Sequence, residues 1–197
     1  MIKYVRSMLF IPILLVAAAC STSDNTMSGS ASSTSAASSS ENSKLDKDAR
    51  AALQQLLSTN PKATEINEKA VAILVFPDIF KAGLIVGAQG GNGVLLSRDG
   101  KTLGYYNATA LSYGLQAGAQ SFGESLFFMS ESALAYLYKS DGWSVGVGPS
   151  VVVMDAGTAK SMTTTTLQSD IYAFIFDQKG LMAGLGLQGQ KITRLNR

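Results

Sequence analysis

Hydrophobic positions along this chain change their spacing near residue 71. Before that point apolar residues recur every three or four positions with charges between them, which predicts an amphipathic helix over about residues 44 to 58. Asn60 and Pro61 then supply a cap and a first-turn proline, which predicts a second short helix ending near Lys69, with Ile66 facing inward. Both helices are expected to cover a sheet, although the apolar face of the first helix could instead touch a bilayer.

The pattern after residue 71 is typical of β-structure. Apolar runs bounded by Gly, Pro, Asn and Asp predict strands, and residues 98–101, with the sequence RDGK, predict a tight hairpin turn. A segment beginning at Ser130 has leucines at helical spacing and predicts one inserted helix. The strands are expected at about 71–76, 82–89, 94–96, 102–108, 110–121, 124–129, 143–154, 160–167, 170–176 and 181–188, with a last hairpin turn at 177–180. The expected fold class is therefore α+β, with helices packed on a mostly antiparallel sheet.

Glycines add a second feature to the strands. They recur four residues apart, as in Gly83 with Gly87 and Gly180 with Gly184, which places both members of a pair on the same strand face. Missing side chains on one face allow strong coiling, so we expect a curved, barrel-like sheet; a ligand lying on the bare backbone is the alternative. The glycine-rich run 87–93 lacks the Lys-Ser/Thr ending of a phosphate-binding loop and is expected to be a hairpin connection.

The first twenty residues have the layout of a bacterial lipoprotein signal. Basic Lys3 and Arg6 precede an apolar run, which ends in small residues and then in Cys20, the only cysteine. This order predicts cleavage before Cys20 and acylation of its thiol, giving a multi-chain membrane anchor. Ser21, in place of Asp, favours sorting to the outer membrane. The alternative is a secretory signal peptide with an incidental cysteine.

Three regions follow from these patterns. Residues 1–19 are the expected signal peptide. Residues 20–43 are the lipidated cysteine and a tether, because Ser, Thr, Ala, Asn and Gly dominate there and no aromatic residue could nucleate a core. Residues 44–197 are long enough for one domain with a sizeable core.

Composition excludes several classes of chemistry. The net charge of the 197-residue chain is only +2, and removal of the signal brings it closer to zero, so no nucleic-acid partner is expected. The chain has no histidine and its one cysteine is expected to be acylated, which removes the usual ligands of metals and haem and every histidine-based catalytic arrangement. The aspartates at 141, 155, 170 and 177 lie beside turns, where aspartate is common. We expect no enzyme, no cofactor and no metal site.

Several separated motifs together resemble the SYLF domain family. They are FKAGLIVG at 80–87, GGNGVL at 90–95, GLQAGAQ at 114–120, and SDIYAF at 169–174 followed by KGLMAGL at 179–185, and the resemblance covers about residues 45 to 195. It implies a non-catalytic domain that binds lipid. Eukaryotic domains similar to this one bind phosphoinositide membranes, some yeast relatives also bind actin, and bacterial members include lipoproteins. Actin is not expected as the partner of a bacterial envelope protein.

The resemblance implies a function and a set of binding residues. The domain is expected to bind membrane lipid, with anionic phospholipid or phosphoinositide as the head group, beside an apolar groove along the glycine-rich strands. The basic residues expected to contact head groups are Lys62, Lys69, Lys81, Arg98 and Lys101; the alternative is that they are solvated surface residues. A second hypothesis is an interaction module that binds an envelope protein or peptidoglycan, with membrane contact only through the Cys20 acyl chains.

Overall fold

The computed structural model of the protein describes residues 31–139, 142–154, 169–180 and 189–196. Three helices pack on a curled, half-barrel sheet of mixed strand direction, which confirms the predicted α+β class. The helices are α1 (Ala31–Thr59), α2 (Pro61–Asn67) and α3 (Glu131–Leu137). The described strands are β1 (Ala72–Ser97), β2 (Thr102–Phe128), β3 (Trp143–Ser144), β4 (Val151–Met154), β5 (Ile171–Gly180) and β6 (Lys191–Leu195).

Strand β2 is central to the described part of the sheet. The strand order is β3-β6-β2-β5-β4, and β1 pairs with β2 along almost its whole length. The amino-terminal part of β2 also pairs with β6, and its carboxy-terminal part pairs with β5. Every pairing among the described strands is antiparallel except that of β4 with β5, which is parallel. The expectation of a mostly antiparallel sheet is therefore confirmed.

Both predicted amino-terminal helices are present and lie on the sheet. Leu56 of α1 is buried, and Leu45 and Leu53 pack against the same core cluster, so α1 covers the sheet as expected. The side chain of Asn60 accepts hydrogen bonds from the amides of Lys62 and Ala63, which confirms the predicted cap of α2. Helix α3 begins after Ser130, whose hydroxyl accepts from the Ala133 amide.

Helix α1 begins earlier than the sequence pattern predicted. It starts at Ala31, so residues 31–43 of the expected tether belong to the helix. The physical reason is that propagation of a helix costs little once a packed segment has nucleated it. The expected signal peptide, Cys20 and the first part of the tether lie outside the described residues.

The strands of the first hairpin are longer than predicted. Residues 72–97 form one strand where three were expected, and residues 102–128 likewise form one strand. Pro77 and Asp78, which were expected to end a strand, coincide with a register shift between Phe76 and Ile79, so a bulge accommodates the proline. The turn at 98–101 is confirmed, because the Ser97 amide donates to the Lys101 carbonyl at 2.9 Å.

The long β1–β2 ribbon bends sharply near residue 85. An ideal Cβ on Gly83 would lie 2.4 Å from the Gly87 Cα, and one on Gly91 would lie 2.6 Å from the Asp78 carbonyl oxygen. A Cβ on Gly93 would meet the Phe76 ring at 2.5 Å. The two halves of β1 therefore lie in close contact, and glycine is needed wherever they touch. The expected hairpin connection at 87–93 is wrong: this run is the second half of a bent strand.

Two core clusters hold the fold together. One contains Leu74, Phe76, Leu126, Phe128 and Trp143 with the leucines of α3. The other contains Leu56 and Ile66 of the first two helices, with side chains of the sheet that include Phe127, Tyr172 and Phe174.

Toward the carboxy terminus the strand pattern differs from the predicted one. The expected strand at 143–154 is two separate strands, because the segment 145–150 contains turns and bends, with Gly146 and Gly148 at positive φ. The expected turn at 177–180 is assigned to the end of β5, which still pairs with β2 there. Strand β6 was not predicted. The expected strands at 160–167 and 181–188, and Asp141 and Asp155, lie outside the described residues.

Candidate functional site

The bend of the β1–β2 ribbon places apolar side chains in solvent. Along β1, Phe80 is 56% exposed, Leu84 is 73% exposed and Val86 is 57% exposed. Leu111 of β2, which pairs with Ala88 of β1, is 77% exposed. Single exposed apolar residues are ordinary, but several large ones around one bend indicate a contact surface. We call Phe80, Leu84, Val86 and Leu111 the apolar ridge.

The side of the ribbon that faces away from the ridge has the opposite character. Lys81, which alternates with Phe80 along the strand, is only 3% exposed, and Gln120, its partner on β2, is also buried. Gly87, which follows Val86, is buried as well. A strand of a water-soluble sheet normally turns its apolar side chains to the core and its polar ones to solvent. This part of the ribbon reverses that rule, which is the arrangement expected of a surface that meets an apolar environment.

A shallow groove of about 420 Å³ continues from the ridge. Its walls come from neighbouring stretches of β1 and β2 and from the start of β6: Ala88, Gln89, Thr109, Ala110, Leu111, Gly189 and Lys191. The volume is within the range of small-molecule sites, and Leu111 belongs to both the groove and the ridge. The groove lies beside the glycine-rich strands, where the resemblance led us to expect an apolar groove.

Two of the basic residues expected to bind head groups are committed to one carboxylate. Lys62 and Lys69 lie at α2 and donate to Glu65 at 2.8 Å and 3.1 Å respectively. The hydrogen bond from Lys62, and then that from Lys69, holds the pKa of Glu65 below its usual range. The two lysines share this single carboxylate, which balances one of their two positive charges.

Two further expected residues lie on the β1–β2 turn. Arg98 donates to the backbone carbonyl of Glu68 at 2.7 Å. Lys101 forms an exposed ion pair with Asp99 at 2.7 Å, and its hydrogen bond lowers the pKa of that carboxyl to about 2. The turn thus lies beside the end of α2, so the structure brings Arg98 close to Lys69 in the fold, but each cation already has an internal partner.

Lys81 is placed apart from the other four expected residues. It lies beside the bend, on the buried side of the ribbon, and takes part in an interaction of its own. In this conformation its ammonium is shielded from solvent. Cys20, the expected acylation site, lies outside the described residues.

The apolar ridge and Lys191 were not predicted from the sequence. Lys191 lines the groove and is exposed, and within the described part of the chain it forms no ion pair. The signal for the ridge was present in the alternation of Phe80, Leu84 and Val86 with Lys81 and glycines, but alternation alone does not say which face is buried. Lys191 lies in a strand that the pattern did not predict.

Metal-binding clusters and membrane-spanning helices were looked for within the described ranges. No group of three acidic or other metal-binding side chains is placed to hold an ion there. None of the described helices combines the length and apolar character needed to cross a bilayer.

Comparison with known proteins gives one family. The family model described as "Ysc84: Las17-binding protein actin regulator" matches residues 109–197. No curated protein matches the chain. The matched stretch includes most of β2, all of β3 to β6, and Leu111 and Lys191 of the groove.

Proposed function

We propose that the protein is a lipid-anchored, non-catalytic module whose domain binds membrane lipid, because residues 109–197 match the model of the Ysc84 family, which is the SYLF domain family. The apolar ridge carries this proposal. Phe80, Leu84, Val86 and Leu111 are exposed on the side of the ribbon opposite buried Lys81 and Gln120, so the ribbon presents to its surroundings what a domain normally buries.

The proposed contact is the insertion of the ridge into the interfacial region of a bilayer. Transfer of a fully exposed Leu or Val side chain out of water is worth about 1.5 to 3 kcal/mol, and a partly exposed one correspondingly less. The groove behind Leu111 would hold part of an acyl chain, and Lys191 at its rim would attract an anionic head group. Because Glu65 and Asp99 balance two of the three positive charges of Lys62, Lys69 and Lys101, we expect electrostatic attraction to contribute less to lipid binding than the sequence suggested.

The expected signal and Cys20 support the remainder of the proposal. Acylation of Cys20 would hold the domain at the outer membrane, and the chain between Cys20 and α1 would leave the ridge free to reach the lipid surface. Actin and Las17, which the family's description names, are not proposed as partners of this chain. Within the domain, binding without chemistry agrees with a family of binding domains.

Vesicle flotation tests the ridge directly. The chain from Ser21 to Arg197 keeps every described residue and removes the apolar signal, which would itself bind vesicles. We expect it to float with vesicles of phosphatidylcholine and, more strongly at low salt, with vesicles that also contain phosphatidylglycerol. Leu84→Gln should weaken the partition coefficient about 5- to 30-fold, because about 1 to 2 kcal/mol of apolar transfer is lost.

A matched control separates the ridge from general surface hydrophobicity. Val147 is 64% exposed on the segment between β3 and β4, outside the ridge, so Val147→Gln should leave flotation unchanged. If Leu84→Gln and Val147→Gln float like the unaltered chain, the ridge does not contact lipid. If the unaltered chain does not float at all, the second hypothesis gains, and capture of a defined envelope protein or peptidoglycan becomes the function to test.

A further inference from the structure

Glu124 and Gln190 are two fully buried polar side chains, in the described part of the half-barrel, that bond to each other. Glu124 lies on β2, opposite Phe76 of β1 and Ile175 of β5. Gln190 comes immediately before β6. Both residues are completely shielded from solvent, and Nε2 of Gln190 donates to Oε2 of Glu124 at 3.0 Å.

The other oxygen of each side chain has no donor. Neither Oε1 of Glu124 nor Oε1 of Gln190 has a hydrogen-bond partner in the described structure. Two such oxygens accept hydrogen bonds only, so they cannot satisfy each other unless one of them carries a proton. A neutral carboxylic acid pairs with an amide on both sides, since it accepts the N–H and donates its own O–H. A carboxylate here would be a buried charge with a single neutral donor.

We propose that Glu124 is a neutral carboxylic acid in the folded protein and that its Oε1–H donates to Oε1 of Gln190. The resulting acid–amide pair is a proton-dependent latch that holds residues 189–191 against the inside of the half-barrel. When the proton leaves to water, the carboxylate loses this second bond and repels the Gln190 oxygen. The latch then loosens, and the segment before β6 separates more often from the sheet.

The charged and titratable groups around Glu124 do not offer it a counter-ion. Lys81 of β1 has its own interaction, Asp177 and Lys179 at the end of β5 pair with each other, and Lys191 and Arg194 of β6 are exposed. The Tyr106 hydroxyl on β2 is buried and neutral, with a pKa raised to about 12 mainly by burial. Burial likewise raises the pKa of Glu124 to about 7, and the Gln190 bond only partly opposes this effect.

The latch lies directly behind the groove on the outer surface of the half-barrel. Gly189 and Lys191, the two neighbours of Gln190, line the groove, and the Gln190 carbonyl accepts from the Val145 amide at 2.9 Å. One short segment therefore has the latch on its inner side and the groove on its outer side. The latch follows from the buried contacts and does not depend on what the groove binds.

The first test is a titration of the unaltered chain. The side-chain carboxyl carbon of Glu124 is followed by NMR from about pH 3 to about pH 8.5. The proposal expects it to titrate near pH 7, far above an ordinary glutamate. Titration near the ordinary value of 4.5 would overturn it.

The second test asks whether the proton holds the segment in place. Hydrogen exchange of the Val145 amide reports its bond to Gln190, and its protection factor in the unaltered chain should fall about tenfold between about pH 6 and about pH 8. Glu124→Gln, which cannot ionise, should show no such fall. Exposed Glu68→Gln, the matched control, should behave like the unaltered chain. A flat protection factor in the unaltered chain overturns the latch, and that result needs no variant to fold.

Discussion

Adjacent glycines in the bent strand should respond very differently to one added methyl group. Gly90 and Gly91 both lie in β1, and neither has a positive φ. A Cβ on Gly91 would lie 2.6 Å from the Asp78 carbonyl oxygen and 2.9 Å from Cγ1 of Ile79. A Cβ on Gly90 would meet nothing closer than the Ala108 carbonyl oxygen at 3.7 Å, an ordinary contact. The alanine substitutions therefore differ only in whether the two halves of β1 must separate.

The expected magnitudes follow from these contacts. Gly91→Ala pushes against backbone, which cannot move aside as a flexible side chain can, and overpacking of this kind costs about 2 to 3 kcal/mol. For a domain of this size that loss lowers Tm by about 5 to 10 °C. Gly90→Ala should be neutral or stabilise by up to about 1 kcal/mol, because alanine restricts the unfolded chain without a clash.

Thermal and urea unfolding of the two variants, followed by circular dichroism, measure the difference. If neither Gly90→Ala nor Gly91→Ala lowers the midpoint, the halves of β1 do not touch at Gly91. A loss of stability in Gly90→Ala as large as in Gly91→Ala would mean that strand propensity, and not close contact, explains the glycines. Either result would refute the bend as the reason for this glycine-rich run.

Three further predictions concern single contacts. The free energy of unfolding should fall by about 3 kcal/mol from pH 4.5 to pH 7, because folded Glu124 keeps a proton that the unfolded chain releases, and urea melts across this range should lose this fall in Glu124→Gln. Asn60→Ala removes the acceptor of two α2 amides and should destabilise the domain by about 1 kcal/mol in the same assay. Ser150→Ala should raise the pKa of Asp170 only in part, because the Ser150 amide bond, the larger cause of the low pKa, remains when the hydroxyl bond is lost, and NMR titration of that carboxyl measures the rise.

Local signals were enough to predict the helices. The Asn60-Pro61 cap, the Ser130 cap and the leucine spacing each depend on residues only a few positions apart, and all three features are present in the structure. The turn at Gly100 was also predicted, because Asp-Gly tolerates the positive φ found there. The α+β class followed from counting such elements.

The bend of β1 could not be predicted from local pattern. Pro77 and the glycines after Gly87 are strand-ending signals in most sequences, yet here a bulge and a close backbone contact keep the strand continuous. Contact between Gly91 and Asp78 joins positions thirteen residues apart within a single strand, and no periodicity encodes it. The glycine pair Gly83 and Gly87 did predict strong curvature, but not where the chain would fold back.

For the candidate binding residues, too, part of the answer was readable from neighbouring positions in the sequence. Lys62, Lys69 and Lys101 were selected for their positive charge alone. Their carboxylate partners could also be read from the sequence, because Glu65 lies three residues from Lys62 and four from Lys69, and Asp99 lies two residues from Lys101. A charge with a carboxylate at helical or turn spacing is already balanced. Lys191 has no such neighbour, and this criterion would have favoured it.

The apolar ridge and the buried polar residues have a single cause. Alternation in β1 fixes that Phe80 and Lys81 point to opposite sides of the ribbon, but the global fold decides which side is enclosed. The bend encloses the side that carries Lys81, Gln120 and, further along β2, Glu124, and it leaves Phe80 and Leu84 outside. The fold exposes the ridge only by burying those polar groups, and burying them lowers the stability of the domain. A variant that makes the interior more apolar should therefore gain stability and keep the ridge exposed. Gln120→Leu tests this coupling, because the Gln120 amide nitrogen has no hydrogen-bond partner in the described structure and flotation should be unchanged while the Tm rises.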